Sequence, residues 1–105
     1  MMKHRIEQVN EEMRYQLGEI LTRDIEVPSD FFITITAVKT SADLRAATMF
    51  FTVLPEQQEE AAVTFLKRHL RDIRVELGRR VRMKFTPRLL FSLDTGAVKA
   101  RRIES

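Results

Sequence analysis

The chain has 105 residues, 44% of them hydrophobic, with 3 Gly, 3 Pro and no Cys, and its 18 Lys+Arg against 15 Asp+Glu leave a formal charge of +3. That length makes one domain, residues 1–105, and that composition is globular rather than disordered or fibrous, while the missing cysteines exclude a disulfide framework, a thiol nucleophile and any Cys-ligated zinc or iron–sulfur site. The amino terminus runs from Met1-Met2-Lys3-His4-Arg5 straight into Glu7, Glu11 and Glu12, with no apolar signal stretch and nothing near the ~20 apolar residues of a bilayer span, so a soluble cytoplasmic protein without membrane contact is expected.

From Lys3 to Arg23 the residues Ile6, Val9, Met13, Leu17, Ile20 and Leu21 recur at steps of three and four, the stripe of an amphipathic helix. Pro28 ends that pattern. Phe31 to Lys39 then alternates as a strand, with Ile33, Ile35 and Ala37 on one face and Phe32, Thr34, Thr36 and Val38 on the other. Ser41 and Asp43 supply turn chemistry to the connector, a more economical reading of the pair than a site. Arg45 to Leu54 resumes the period of two with Ala47, Met49, Phe51 and Val53 inward, and two strands so closely joined form a hairpin.

After Pro55, the acids Glu56, Glu59 and Glu60 suit a helix amino terminus. The stripe Ala62, Phe65, Leu66, Leu70, Ile73 and Leu77 keeps one register, predicting a continuous or barely bent helix from about Gln57 to Leu77, closed by Gly78. His69 should sit beside the stripe and Arg71 should face solvent. A last strand is predicted over Val81–Leu93, interrupted by Pro87, with Asp94-Thr95-Gly96 as its closing turn. A helical crossover between the second and third strands makes them parallel, so the class is α+β: a three-stranded mixed sheet with the second strand central and helices on one face.

Charge is distributed unevenly along this framework. Residues 1–60 carry 6 basic and 11 acidic residues, and residues 61–105 carry 12 basic and 4 acidic. Nine cations fall within residues 67–88 against two acids, Asp72 and Glu76, and on helical geometry Lys67, Arg71 and Arg74 share one shoulder of the second helical region. Arg79, Arg80, Arg82, Lys84 and Arg88 extend it. Such clustering is the footprint of a polyanion partner. With no Trp, a single Tyr15 and the Phe residues assigned to strands or core, recognition through backbone and shape rather than base stacking is expected. The two histidines, His4 and His69, have no metal-spaced partners, and Asp72 orients His69 without a nucleophile to serve, so no catalytic site, metal, cofactor or small-molecule substrate is expected.

The element order, together with Val38-Lys39-Thr40-Ser41-Ala42-Asp43-Leu44-Arg45-Ala46-Ala47 and Pro87-Arg88-Leu89-Leu90-Phe91-Ser92-Leu93-Asp94, resembles the ribosome-binding factor A family over nearly the whole chain. The resemblance implies a KH-type II domain, ordered α-β-β-α-α-β. It would bind 16S rRNA in the immature 30S subunit as a non-catalytic assembly factor, supporting rRNA processing and growth in the cold. It also implies RNA contact through Lys67, Arg68, Arg71, Arg74, Arg79, Arg80, Arg82 and Lys84, in a monomer. Where that family carries Ala, any residue, Gly between its second and third helices, this chain has His69-Leu70-Arg71. The competing expectation is a ferredoxin-like interaction module that dimerises through Met49, Phe51 and Val53 of its sheet.

Overall fold

The computed structural model describes residues 2–96, with side chains from Arg5 onward. Helix α1 (Met2–Glu19) passes into a wide π turn (Ile20–Asp24), and together they bury Met13, Leu17, Ile20 and Leu21. Strands β1 (Phe32–Thr40) and β2 (Ala46–Leu54) form the antiparallel hairpin. After a 3-10 turn (Glu56–Gln58) come helices α2 (Glu59–Arg68) and α3 (Leu70–Arg80), and strand β3 (Arg88–Leu93) joins β2 in parallel, giving the order β1-β2-β3 with β2 central. The α+β class, the element order and the mixed sheet match the sequence reading.

The core lies between the helices and one sheet face. Inward residues alternate along β2 as Ala47, Met49, Phe51 and Val53, and they meet Met13 and Leu17 of α1, Ala62 and Leu66 of α2, and Ile73 and Leu77 of α3. Each large side chain buried here contributes roughly 1.5–3 kcal/mol of transfer free energy. Met49 and Phe51 are fully buried, which removes the basis for a dimer built on Met49, Phe51 and Val53.

Four local expectations are corrected. In β1 the register with β2 shifts between Ile35 and Ala37, so Thr36 is an extra residue that turns the rest of the strand over. Val38 therefore joins the main core cluster and pairs with Met49, while Ala37, equally buried, pairs with Phe50 outside that cluster. The bulged Thr36 hydroxyl donates to Asp94 Oδ2 at 2.7 Å, tying β1 to the end of β3.

The second helical region is broken at His69 (φ −100, ψ 10) rather than continuous. Backbone bonds bracket the break, His69 N–H to the Phe65 carbonyl at 3.1 Å and Ile73 N–H to the His69 carbonyl at 2.9 Å. That dihedral pair is open to any L-residue, so the change of direction needs no glycine, and burial of Leu66 and Ile73 on either side outweighs local helix propensity. Gly78 does not close α3, which runs on to Arg80.

Finally, β3 starts at Arg88 and not at Val81. Residues 81–87 form an irregular segment in which Val81 and Pro87 are buried while Phe85 is 72% exposed. The segment's carbonyls at Thr86 and Pro87 bond to a side chain of α3 instead of a sheet neighbour.

Candidate nucleic-acid interface

The break at His69 brings the last turn of α2 and the first turn of α3 together at one edge of the molecule. Lys67 and Arg68 end α2, and Arg71 follows within the first turn of α3; all three are exposed and none has an ion-pair partner among the described residues. Opposite them stands the 81–87 segment. Between lies a groove of about 830 Å³, with Lys67, Arg68, Arg71 and Arg74 on the helix wall and Lys84 and Arg88 on the other. Leu70, Val75, Phe85 and Leu89 supply apolar surface within it. Six cations around one groove, with no acid lining it among the described residues, make a pronounced positive surface.

The eight cations expected from the sequence divide into three groups. Lys67, Arg68, Arg71 and Lys84 line the groove with exposed side chains. Arg74 also lines it, but its guanidinium is committed to the backbone: Nε donates to the Pro87 carbonyl at 3.2 Å and Nη2 to the Thr86 carbonyl at 2.9 Å. It builds the far wall of the groove as well as charging it. Arg79, Arg80 and Arg82 lie outside. Arg79 pairs with Glu76 at 3.0 Å, and Arg80, half-buried, spans to Asp24 Oδ2 at 2.6 Å and Gln16 Oε1 at 3.2 Å, fastening α3 to α1 and its π turn. Arg82 lines a second groove, of about 820 Å³, beyond the segment, with Val9 and the Asp43–Arg45 turn.

That turn is held by the polar side chains assigned to it. Ser41 Oγ donates to Asp43 Oδ1 at 2.7 Å, the Arg45 N–H donates to the same oxygen at 3.0 Å, and Leu44 takes the left-handed conformation at φ 61. The Ser41 hydroxyl bond, and next the Arg45 backbone bond, hold the Asp43 carboxyl below its ordinary pKa. His69 packs its ring on Phe65 at 4.4 Å between centroids, with Nδ1 at 4.0 Å from Asp72 Oδ2. This is a surface pair. Among the described residues no group of three His, Cys, Asp or Glu is placed to hold a metal, and no helix is long and apolar enough to cross a membrane.

Sequence reasoning missed Arg45 and Phe85. By alternation Phe85 reads as a strand residue; the Thr86-Pro87 pair after it, unable to extend a ladder, was the available signal that the strand begins later.

Comparison with known families decides the assignment, since residues 5–105 match the family model for ribosome-binding factor A. The chain belongs to the ribosome-binding factor A family. The crystal structure of ribosome-binding factor A from Thermus thermophilus superposes with a TM-score of 0.74 at 31% identity, covering 82% of this chain and 92% of that one. A Thermus thermophilus homology model of the factor, fitted into a cryo-electron-microscopy map of a complex with the 30S subunit, gives 0.68 at 32% identity, covering 79% and 88%. A solution NMR structure of a Thermotoga maritima protein gives 0.66 at 28% identity, covering 81% and 82%. The matched residues, 5–105, span the helices and the sheet.

Proposed function

We propose that this protein is a non-catalytic assembly factor that binds 16S rRNA in the immature small ribosomal subunit and supports its processing and maturation, in the cold as at ordinary temperature. It acts in the cytoplasm as a monomer, and uses its domain in the manner of a KH module. The observation carrying this reading is the groove between the α2–α3 edge and the 81–87 segment, walled by six cations and, among the described residues, lined by no acid. The Thermus thermophilus factor fitted into a 30S complex supports the choice of partner. Lys67, Arg68, Arg71, Lys84 and Arg88 make the phosphate contacts, with Arg74 shaping the wall; Arg82 extends the charge beyond it, and Arg79 and Arg80 act mainly through their protein partners. Phosphate contacts of this kind give affinity and register rather than base identity.

The direct test is sedimentation of cell extract through a sucrose gradient. The protein is expected to travel with small-subunit particles and the Arg71→Glu variant to shift to the top of the gradient; a wild-type protein that stays at the top contradicts the proposal.

A second reading draws on the sheet face that the helices leave uncovered, where Phe32 and Leu54, partners across the β1–β2 pair, are 73% and 65% exposed. A module dimerising there would scatter light with a mass that rises with concentration, whereas the proposed RNA-binding monomer keeps one mass across the series.

A further inference from the structure

Phe85 stands on the ridge between the two grooves. Lys84, Phe85 and Thr86 wall both of them, the one bounded by the α2–α3 edge and the one leading to Arg45. The ring is 72% exposed, although an aromatic side chain ordinarily gains by burial. Its backbone is not a loose loop tip: Arg74 holds the carbonyls of Thr86 and Pro87, and Pro87 is buried. A fixed backbone therefore presents a flat apolar surface to solvent between two cationic channels. The Lys84 ammonium lies over the ring, 5.7 Å from its centroid, so the aromatic surface carries its own cation, one that a base settling on the ring would displace towards its phosphate.

We propose that Phe85 is a stacking platform for one unpaired nucleobase of an RNA strand that runs along the first groove and crosses the ridge towards Arg45. This rests on the reading of the first groove as an RNA site. A strand making only phosphate contacts has no use for an exposed ring, whereas a base can lie flat on it while Lys84 meets the adjoining phosphate. Stacking of this kind accepts any base, because every base has a π face. It adds to the phosphate contacts a preference for single-stranded over double-stranded RNA.

The probes are a fluorescein-labelled single-stranded RNA of about twelve nucleotides and the matching duplex, with Phe85→Leu and Phe85→Trp as variants whose folding is checked by thermal melting. Phe85→Leu is expected to lose about tenfold in affinity for the single strand, to bind the duplex as wild type does, and to keep the wild-type salt dependence. Phe85→Trp is expected to keep wild-type affinity. Because the chain has no other Trp, indole emission from that variant reports the site alone, and it should be quenched on binding. Wild-type affinity for the single strand in Phe85→Leu, or an unquenched indole in Phe85→Trp, overturns the stacking role while leaving the groove reading in place. If the wild-type protein shows no salt-dependent RNA binding, both readings fall.

Discussion

Gly78 of α3 lies so close to Thr86 that a Cβ at position 78 would stand 2.7 Å from the Thr86 Oγ1. The glycine is in the helix to let the 81–87 segment approach, not to end the helix. Gly78→Ala sets a helix-propensity gain of about 1 kcal/mol against an overpacking cost of about 1–3 kcal/mol, so a net loss of about 1 kcal/mol is expected by urea denaturation. In a Thr86→Ala background, where the nearest remaining atom is the Cβ at 3.8 Å, the same substitution should stabilise. A stabilising Gly78→Ala in the wild-type background would contradict the contact.

Arg80 and Asp24 are the second such link. Their side chains are 27% and 29% exposed, and the pair joins residues far apart in sequence. Hydrogen bonds to charged groups contribute about 1.5–3 kcal/mol, and partial exposure takes this pair towards the lower end. Arg80→Ala should therefore lower stability by about 1.5 kcal/mol while leaving the salt dependence of RNA binding as in wild type. A variant of unchanged stability with a shallower salt dependence would place Arg80 on the RNA instead.

Arg71 and Arg74 share one shoulder of the helix but should behave differently when replaced by Glu. Arg71 is exposed and engaged with nothing described, so Arg71→Glu should weaken RNA binding at unchanged stability. Arg74→Glu also strips the donors from the Thr86 and Pro87 carbonyls and should cost about 1–3 kcal/mol. Thermal melts of the two variants side by side check this, and equal melting temperatures would contradict it.

That pair also marks where sequence reading runs out. The stripe of Leu66, Ile73 and Leu77 was legible because burial imposes a period, and the alternation of Met49, Phe51 and Val53 for the same reason. The cationic shoulder was legible as charge. What each cation does was not, because the carbonyls that Arg74 holds and the carboxylate that Arg80 holds come from other parts of the chain. The bulge at Thr36 was hidden too, since a single extra residue leaves alternation intact on both sides while exchanging the faces of Ala37 and Val38. The break at His69 is a packing decision taken against local propensity.

The β1–β2 turn gives a pH signature. The Asp43 carboxyl is held below its ordinary pKa first by the Ser41 hydroxyl, so its contribution to stability is present above the unfolded value of about 4 and is lost as pH falls through the lower, folded value. An NMR titration should find the Asp43 midpoint moved upward in Ser41→Ala, and the stability gap between that variant and wild type should narrow below about pH 4. A midpoint that does not move would show that the hydroxyl does not set it.

The salt dependence of binding to 16S rRNA bears most directly on the cationic groove as the RNA site. With about 4–6 phosphates neutralised, the logarithm of wild-type affinity should fall against the logarithm of salt concentration with a slope of about −3 to −5, and replacing Lys67, Arg68 and Arg71 together by Gln should make the slope shallower by about 2–3. A wild-type slope near zero, or a triple variant with the wild-type slope, would contradict it.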